Sequence, residues 1–238
     1  MLISISGKLG HGKDTLGEMF IELAKQEQVA EPFVIKKFAG KLKEVAGLIL
    51  GVNPEVFEDQ EFKKEYMPEQ WDYWHTHVVK KDDGLLLHLQ GKYATRERAK
   101  AEAENKDGFA RSNNAITGIG LERMTYRQFL QILGTDALRD HLHENIWVNA
   151  LFSDYKPESN WIITDTRFVN ELNRVKDLEG LTILVVDPRK SIPVNQHSSE
   201  TALDNETFDI VVTNDGSLED LLAKAITIFY EHVLHRAD

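Results

Sequence analysis

The stretch Gly7-Lys8-Leu9-Gly10-His11-Gly12-Lys13-Asp14-Thr15 determines the fold class of this 238-residue chain. The apolar, β-branched run Leu2 to Ser6 precedes it, and apolar residues follow it at helical spacing from Leu16 to Ala24. This order predicts a buried parallel strand, a glycine-rich loop and a helix. The spacing of Gly7, Gly12 and Lys13 satisfies G-x-x-x-x-G-K, in which backbone N–H groups surround a phosphate at the positive end of the helix. We therefore predict that this loop binds the phosphates of a nucleoside triphosphate, with the Lys13 ammonium on their oxygens.

One position of the loop departs from the common pattern. A serine or threonine hydroxyl usually follows the lysine and binds a metal ion, but here Asp14 follows it and the hydroxyl comes at Thr15. This offset resembles the G-K-G-T ending of nucleoside monophosphate kinases, which implies that Thr15 faces Mg²⁺. The alternative is a glycine turn before an ordinary helix, with Asp14 complementing the helix dipole.

Composition limits the possible partners. The length suits one sizeable α/β domain with an insertion, or at most two small domains. The formal net charge of -11 argues against general binding to duplex nucleic acid, and the lack of cysteine excludes disulfides and thiolate metal sites. The Met-Leu-Ile-Ser start has no basic segment typical of a secretion signal, and no apolar run approaches the roughly 20 residues that span a membrane. We expect a cytoplasmic protein without a membrane partner.

Two lysines follow the second predicted strand. Residues Phe33 to Gly40 alternate in polarity and predict a strand ending in a turn, and Lys41 to Leu50 predicts an amphipathic helix. Lys41 and Lys43 then lie in the first helical turn, where cations are unfavourable. A bound anion such as a substrate phosphate would resolve the conflict; alternatively, both ammonium groups extend into water.

Residues 70–120 follow a weaker pattern and are interpreted as an inserted subdomain. Residues Leu85 to Leu89 predict a strand, Ala94 to Asn105 a charged helix, and Asn105 to Gly120 a loop. An aromatic cluster around Trp71 to His77 either lines a nucleobase pocket or covers a small local core. In phosphoryl transferases such insertions close over the substrates and exclude water, so we expect a lid; a family-specific decoration is the alternative.

The pattern becomes regular again at Thr125, which can cap a helix over Tyr126 to Leu142 without forming a full capping box. Gly134 interrupts that helix. Because a glycine inside a helix costs about 1 kcal/mol relative to alanine, either the helix breaks there or a ligand approaches the backbone closely.

The apolar strand Trp161 to Asp165 ends in Asp165 and Arg167. Strand carboxyl ends are where open parallel sheets place ligands, so these side chains are positioned to contact metal-bound water and phosphate; a strand-end salt bridge is the alternative. Two more strands follow, over Leu181 to Arg189 and Phe208 to Gly216, and Ser217 caps a last helix over Leu218 to Leu234. The sequence thus predicts an α/β fold, a central parallel sheet flanked by helices, with the lid-like insertion.

Four segments in this order resemble the deoxynucleoside monophosphate kinases of tailed bacteriophages: the loop Gly7 to Thr15, Leu130 to Asp136 with Trp147 beyond it, Thr164 to Arg167, and Val212 to Glu219. The resemblance implies a P-loop kinase that transfers the γ-phosphoryl of ATP to a deoxynucleoside monophosphate with Mg²⁺. A segment around His197 to Glu200 also resembles the family but has no assigned role.

The same resemblance implies roles for individual residues. It implies that Asn214, Gly216 and Ser217 contact adenine. It also implies a monophosphate site lined by Lys41 or Lys43, Arg127, Gly134, Thr135, Trp147, Asp165, Arg167 and Glu171. Phosphoryl transfer needs positioning and charge stabilisation rather than a nucleophilic side chain, which suits a site built from Lys13, Arg167 and a metal ion. We expect Asp14 to act directly, as a partner of metal-bound water or of the acceptor.

Two other functions stay open at this point. A dephospho-coenzyme A kinase-like enzyme has a similar last strand and turn, and a non-catalytic nucleotide-binding regulator would bind ATP without acceptor-dependent release of ADP. The sequence also leaves open which bases are accepted, whether ribose is excluded, and whether the protein forms a homodimer.

Overall fold

The computed structural model describes residues 1–80, 86–87, 92–93, 96–112, 115–190 and 201–234. The chain divides into two compact units, of which unit 1 comprises Met1–Ile49 with Thr135–Asp238 and unit 2 comprises Leu50–Gly134. The insertion expected at 70–120 falls within unit 2, and its role as a lid stays a prediction. The segment His197 to Glu200 lies outside the described residues. In the part of the chain described here, no helix is long and apolar enough to cross a membrane.

Unit 1 is built on a five-stranded parallel sheet with the strand order β2-β7-β1-β8-β9. Its strands are β1 (Leu2–Ser6), β2 (Phe33–Lys36), β7 (Asn160–Thr166), β8 (Leu181–Val186) and β9 (Ile210–Thr213). Its helices are α1 (Lys13–Gln26), α2 (Phe38–Leu50), α5 (Ile146–Phe152), α6 (Val169–Asp177) and α7 (Leu218–Ile228), the last continued by a π-helix over Phe229–Val233. The predicted α/β class and parallel sheet are confirmed.

The central strand β1 is buried along its whole length, which explains its continuous apolar character. On one face of the sheet, Ile3 and Ile5 pack with Leu16 and Phe20 of α1 and with residues of α7. On the other face, Leu2 belongs to a second cluster with residues of α2, α5 and α6. Helices therefore cover both faces, and the carboxyl ends of β7, β1 and β8 meet at one edge.

The second strand is shorter than its sequence predicts. It ends at Lys36, and α2 begins at Phe38 rather than at Lys41. The reason is tertiary: the Asp165 carboxylate accepts hydrogen bonds from the backbone N–H groups of Phe38 (2.8 Å) and Ala39 (2.9 Å). The protein itself thus supplies an anion at the start of α2, on its backbone N–H groups.

Unit 2 contains a second sheet, in which β3 (Tyr73–Lys80) pairs with β4 (Leu86–Leu87), β5 (Lys92–Tyr93) and β6 (Ala115–Glu122). Its helix α3 spans Arg96–Ser112. The loop predicted over Asn105 to Gly120 is therefore wrong. The helix continues to Ser112, and the following segment becomes a strand because β6 pairs with β3 along its whole length, from Tyr73 to Lys80.

Helix α4 (Tyr126–Gln131) continues into a π-helix over Ile132–Arg139. Thr125 caps α4 as expected, but the capping box is complete, because Gln128 accepts from the Thr125 N–H (2.8 Å) while donating its own N–H to the Thr125 hydroxyl (3.2 Å). At Gly134 the helix does not break as one reading of the sequence predicts. It continues as a wider π turn, in which the N–H of Asp140 bonds the carbonyl of Thr135, five residues back (2.9 Å).

Candidate functional site

The loop between β1 and α1 has the backbone of a phosphate cradle. Gly10 and Gly12 have positive φ angles of 76° and 98°, a left-handed conformation that favours glycine. A Cβ on Gly12 would also lie 2.6 Å from the Nδ2 atom of Asn214, which is closer than van der Waals contact allows. The positive φ angle makes a larger residue at Gly12, the residue that precedes α1, strained, and the Asn214 amide would have to move to make room for it. The loop therefore directs the first N–H groups of α1 towards an anion.

His11 fixes this loop to the carboxyl ends of β8 and β9. Its buried imidazole Nδ1 accepts a hydrogen bond from the Asp187 N–H (3.1 Å), and its carbonyl oxygen accepts from the Asn214 side-chain amide (3.0 Å). Burial lowers the pKa of His11, while a hydrogen bond with the Val185 backbone opposes that shift. Because Nδ1 accepts, the neutral ring carries its proton on Nε2. His11 thus serves the phosphate loop by holding its backbone.

Asp14 lies in the first turn of α1, between two lysines and a threonine. Its carboxylate accepts a hydrogen bond from the Thr164 hydroxyl (2.8 Å) and lies 3.3 Å from the Lys37 ammonium and 3.8 Å from the Lys13 ammonium. Burial by itself would raise the pKa of Asp14, but the Thr164 hydrogen bond and the two lysine charges outweigh it and lower the pKa. The group is therefore an anion, half-exposed beside the buried Lys13.

Lys37 is a site residue that the sequence did not single out. The sequence pattern places Lys37 in a strand and predicts Lys41 and Lys43 as the lysines at the start of the next helix. In the structure Lys41 lies in α2 and pairs with Glu44 (3.4 Å) and Asp154 (3.3 Å) at the surface. Lys37 precedes α2, and its contact with Asp14 places a second ammonium next to the phosphate loop. Lys37 lies between β2, which ends at Lys36, and α2, which begins at Phe38, so its position depends on a helix start that the sequence pattern places three residues later.

The end of β7 is held by its neighbours in the sheet. Thr166 and Ser4 share a buried hydrogen bond between their hydroxyls (2.8 Å). Asp165 uses both carboxylate oxygens to cap α2, and burial raises its pKa while the N–H groups of Ala39 and Phe38 oppose the rise. Its observed bonds are those of a helix cap, and its predicted contact with phosphate or metal-bound water stays a prediction.

Glu171 and Arg139 form a buried ion pair behind Arg167. The Arg139 Nη2 donates to Glu171 Oε1 (2.8 Å), and the side chains are 12% and 3% exposed. The other oxygen, Glu171 Oε2, accepts from the backbone N–H of Arg167 (2.9 Å) and of Phe168 (3.2 Å). Burial raises the pKa of Glu171, which the Arg167 N–H and the Arg139 guanidinium oppose. The pair therefore shapes the turn that carries Arg167.

A cavity of about 440 Å³ lies at the carboxyl ends of β7, β1 and β8. Arg167, Lys8 and Lys190 bring three cations to its wall, and Lys8 pairs with Asp204 (3.2 Å). Ser6 also lines the cavity, and its hydroxyl is buried without a hydrogen-bond partner. Apolar residues also line the cavity: Leu184, Val185, Val186, Pro188 and Leu203. A cationic wall with apolar surroundings suits an organic anion.

Arg189 joins the ends of β8 and β9, another arrangement that the sequence did not reveal. It donates to both oxygens of Asp187 (2.9 and 3.0 Å) and to the carbonyls of Gly216 (2.9 Å) and Asn214 (3.0 Å). The hydrogen bond from Arg189 lowers the pKa of Asp187 to about 2. Ser217 caps α7 within the same turn. The turn implied to contact adenine is thereby tied to the phosphate loop through Asn214 and His11.

Other predicted site residues fall into two groups. In unit 1, Trp147 is 5% exposed in α5, Thr135 lies in the π-helix, Lys43 lies in α2 and Thr15 lies in the first turn of α1. In unit 2, Arg127 donates to Gln60 (3.0 Å), and Gly134 is buried. Contacts of these residues with a substrate stay predictions. Among the described residues, no group of three His, Asp or Glu side chains could hold a metal ion.

Comparison with known proteins agrees with this geometry. A family model described as deoxynucleotide monophosphate kinase matches residues 1–225. The chain is 30% identical over 128 residues to the deoxynucleotide monophosphate kinase of Enterobacteria phage T4, and the match covers 52% of each chain. It is 29% identical over 145 residues to the enzyme of that name from Escherichia phage RB69, covering 59% of this chain and 55% of the relative.

A third match extends further along the chain. The deoxynucleoside-5'-monophosphate kinase of Escherichia phage T5 is 24% identical over 241 residues, and the match covers 91% of each chain. The chain thus spans about half the length of the T4 and RB69 relatives and nearly all of the T5 relative.

Proposed function

The chain belongs to the deoxynucleotide monophosphate kinase family, and on that premise we propose that it transfers the γ-phosphoryl of ATP to a deoxynucleoside 5'-monophosphate, releasing ADP and the diphosphate. The observation that carries the proposal is the loop Gly7 to Thr15, a phosphate cradle at the carboxyl end of the central parallel strand. A cation-lined cavity beside that loop supports a second, acceptor site.

On the donor side, the loop and the N-terminus of α1 bind the ATP phosphates. Lys13 is buried, so its charge acts in surroundings that screen it little. Asn214, Gly216 and Ser217 contact adenine in this proposal. The support is the Asn214 hydrogen bond to the His11 carbonyl, because it holds the adenine turn and the phosphate loop at a fixed separation.

A kinase of this family implies ATP with a divalent metal ion, and the donor set beside Lys13 fits Mg²⁺. The ion prefers oxygen ligands and usually takes only one or two from the protein, the rest being phosphate oxygens and water. Thr15 would offer its hydroxyl, and Asp14 would offer an ionised carboxylate through a water molecule. When bound, Mg²⁺ neutralises charge on the transferring phosphates.

On the acceptor side, Arg167 binds the monophosphate. Its planar guanidinium can form two parallel hydrogen bonds to a phosphate, and it lines the cavity beside the phosphate loop. Lys37, rather than Lys41, is the closer cation to Asp14 and the better candidate for contact with the transferring group. Asp165 supports α2 and Glu171 supports Arg167, so both act indirectly here. Thr135 and Trp147, which belong to the same unit as Arg167, complete the proposed acceptor site.

These residues promote the reaction by holding the two substrates in line. Phosphoryl transfer has a loose transition state whose charge spreads over the phosphoryl oxygens. Lys13 and Lys37 are held beside Asp14, and Glu171 holds the backbone that carries Arg167. Cationic donors held in place in this way need little reorganisation as the charge develops. The chain then requires no covalent enzyme intermediate. Asp14, ionised beside Lys13, orients Lys13 and Lys37 and can order a water molecule.

A coupled ADP-release assay with ATP and Mg²⁺ tests the proposal. The acceptors are the deoxynucleoside monophosphates, their ribose counterparts and dephospho-coenzyme A. We expect ADP release that depends on a deoxynucleoside monophosphate, and a nucleoside diphosphate formed in equal amount. ATP binding with no acceptor-dependent ADP would refute a kinase and favour a nucleotide-binding regulator, and release with dephospho-coenzyme A alone would favour the other kinase.

A further inference from the structure

The turn that carries Arg167 is fixed from both sides. On one side Thr166 shares a buried hydrogen bond with Ser4, and on the other Glu171 accepts the N–H groups of Arg167 and Phe168. The backbone from 166 to 168 therefore has few alternatives, and the direction in which the Arg167 side chain leaves the chain depends on Glu171. The carboxylate of Glu171 is 3% exposed and needs its own partner.

Arg139 supplies that partner and makes a second contact on the same turn. Its guanidinium donates to Glu171 (2.8 Å), and its central carbon lies 3.6 Å from the centroid of the Phe168 ring. Arginine suits both contacts, because its planar group hydrogen-bonds at its edge while its face stacks on an aromatic ring. Arg139 thus contacts both Phe168, the residue after Arg167, and Glu171, the residue that accepts the Arg167 N–H.

The π-helix explains how Arg139 reaches this position. The hydrogen bond from Asp140 to the carbonyl of Thr135 spans five residues instead of four. Each residue of an α-helix turns by about 100°, so the extra residue in this turn rotates the side chains that follow it relative to a regular helix. The irregular turn beginning at Ile132 ends at Arg139, which places the arginine against the start of α6.

We propose that Arg139 is a positioning residue for phosphoryl transfer: through Glu171 and Phe168 it sets the direction of the Arg167 guanidinium. The inference rests on the proposed function, in which Arg167 binds the acceptor phosphate. Arg139 itself touches no substrate. Its loss leaves Arg167 present but misdirected, and a displacement of about 1 Å at a reacting group can cost about a hundredfold in rate.

A double-mutant cycle tests the proposal in the full chain. The variants are Arg139→Gln, Arg167→Gln and the double variant, with kcat and KM measured for a deoxynucleoside monophosphate and for ATP. We expect Arg167→Gln to lower kcat/KM for the acceptor by about a hundredfold or more and Arg139→Gln to lower it by at least about tenfold with KM for ATP unchanged. The kcat/KM of the double variant for the acceptor should be within about threefold of that of Arg167→Gln, because Arg139 acts only through Arg167 and has no effect once Arg167 is absent.

Arg174→Gln is the matched control. Arg174 lies on α6 and is exposed, with its guanidinium carbon 5.5 Å from the centroid of the Phe152 ring. It should leave the kinetics unchanged. Arg139→Lys should recover part of the lost activity, since lysine can still donate to Glu171 but cannot stack as a plane.

Three results would overturn the inference. Losses that multiply in the double variant would make Arg139 and Arg167 independent. A lower melting temperature with unchanged kinetics at a temperature where the variant stays folded would make the ion pair structural only. Unchanged acceptor kinetics in Arg167→Gln would remove Arg167's role in the proposed function, and the inference with it. If Arg139→Gln does not fold, the same double-mutant cycle with Arg139→Lys tests whether the effects of the two arginines are coupled.

Discussion

Replacing Asp165 with alanine should destabilise the start of α2 rather than only the proposed reaction. Asp165 accepts hydrogen bonds from Phe38 (2.8 Å) and Ala39 (2.9 Å), residues 127 and 126 positions away in the sequence. The substitution leaves both N–H groups at the helix N-terminus without this acceptor, and it removes a negative charge from the positive end of the helix dipole.

The size of the effect follows from these bonds. Loss of a helix N-cap costs about 0.5–2 kcal/mol, and each hydrogen bond to a charged group contributes about 1.5–3 kcal/mol. Burial raises the pKa of Asp165 because it disfavours the ionised carboxylate, so the net loss of stability is smaller than the sum of these contributions. We expect about 2 kcal/mol, which lowers the melting temperature of a chain of this size by about 4–8 °C.

The assay combines thermal unfolding with amide hydrogen exchange. A loss of about 2 kcal/mol in local stability should speed the exchange of the Phe38 and Ala39 amides by about 30-fold. The melting temperature and the amide exchange rates of Asp165→Asn should lie between those of the wild type and of Asp165→Ala. The asparagine amide keeps one acceptor oxygen but turns an N–H₂ donor towards the second backbone N–H.

Asp154→Ala is the matched control, since Asp154 also contacts α2 but does so at the surface, through Lys41 at 3.3 Å. An exposed pair of this kind contributes under about 1 kcal/mol. Equal melting temperatures for Asp165→Ala and Asp154→Ala, with no faster exchange at Phe38 and Ala39, would refute the capping argument.

Three further outcomes are expected. Asp14→Asn should lower kcat more than tenfold, which corresponds to a loss of about 1.4 kcal/mol or more of transition-state stabilisation. Isothermal titration calorimetry should show nearly unchanged affinity for ATP, and normal turnover would exclude a direct role of Asp14. Ser4→Ala should lower the free energy of unfolding, measured with denaturant, by about 1 kcal/mol, because the hydrogen bond to Thr166 is lost. Ser6→Ala should change it little, because the Ser6 hydroxyl is buried without a hydrogen-bond partner; equal losses in the two variants would contradict this. The lowered pKa of Asp187, about 2, means that its ionisation stabilises the fold above the usual carboxyl range and that this contribution is lost as the pH falls towards 2; a pH series of unfolding curves should show a weaker acid dependence between about pH 4 and 2 for Asp187→Asn.

The phosphate loop could be predicted from the sequence because its chemistry is local. The positive φ angles at Gly10 and Gly12 belong to residues only two positions apart, and Lys13 follows at once. Strand and helix periodicity on either side then place the loop at a strand end, where an α/β sheet binds ligands. Ser217, the cap of α7, was predictable for the same reason, since its bonding partner Asp220 lies three residues away.

Contacts between distant segments were not predictable in this way. The segment 105–120 looks like a loop by composition, yet its later part forms β6 because β3 offers a pairing edge. The ion pair of Arg139 with Glu171 could not be predicted, because the two residues lie 32 positions apart and the helical period of the sequence does not reveal the π turn. The predicted strand runs past Lys37, whereas β2 ends at Lys36, so the sequence pattern does not place Lys37 beside the phosphate loop.

By itself, therefore, the sequence determined the α/β class, the phosphate loop and the cap of the last helix, since each depends on bonds within a few residues. Only the tertiary structure decided what the polar residues at the strand ends do. There Asp165 caps a helix that begins at Phe38, and Glu171 is buried against Arg139. An aspartate or glutamate looks the same in the sequence whether its carboxylate binds a ligand or accepts a backbone N–H. Its role therefore depends on the neighbours that folding brings within about 3 Å.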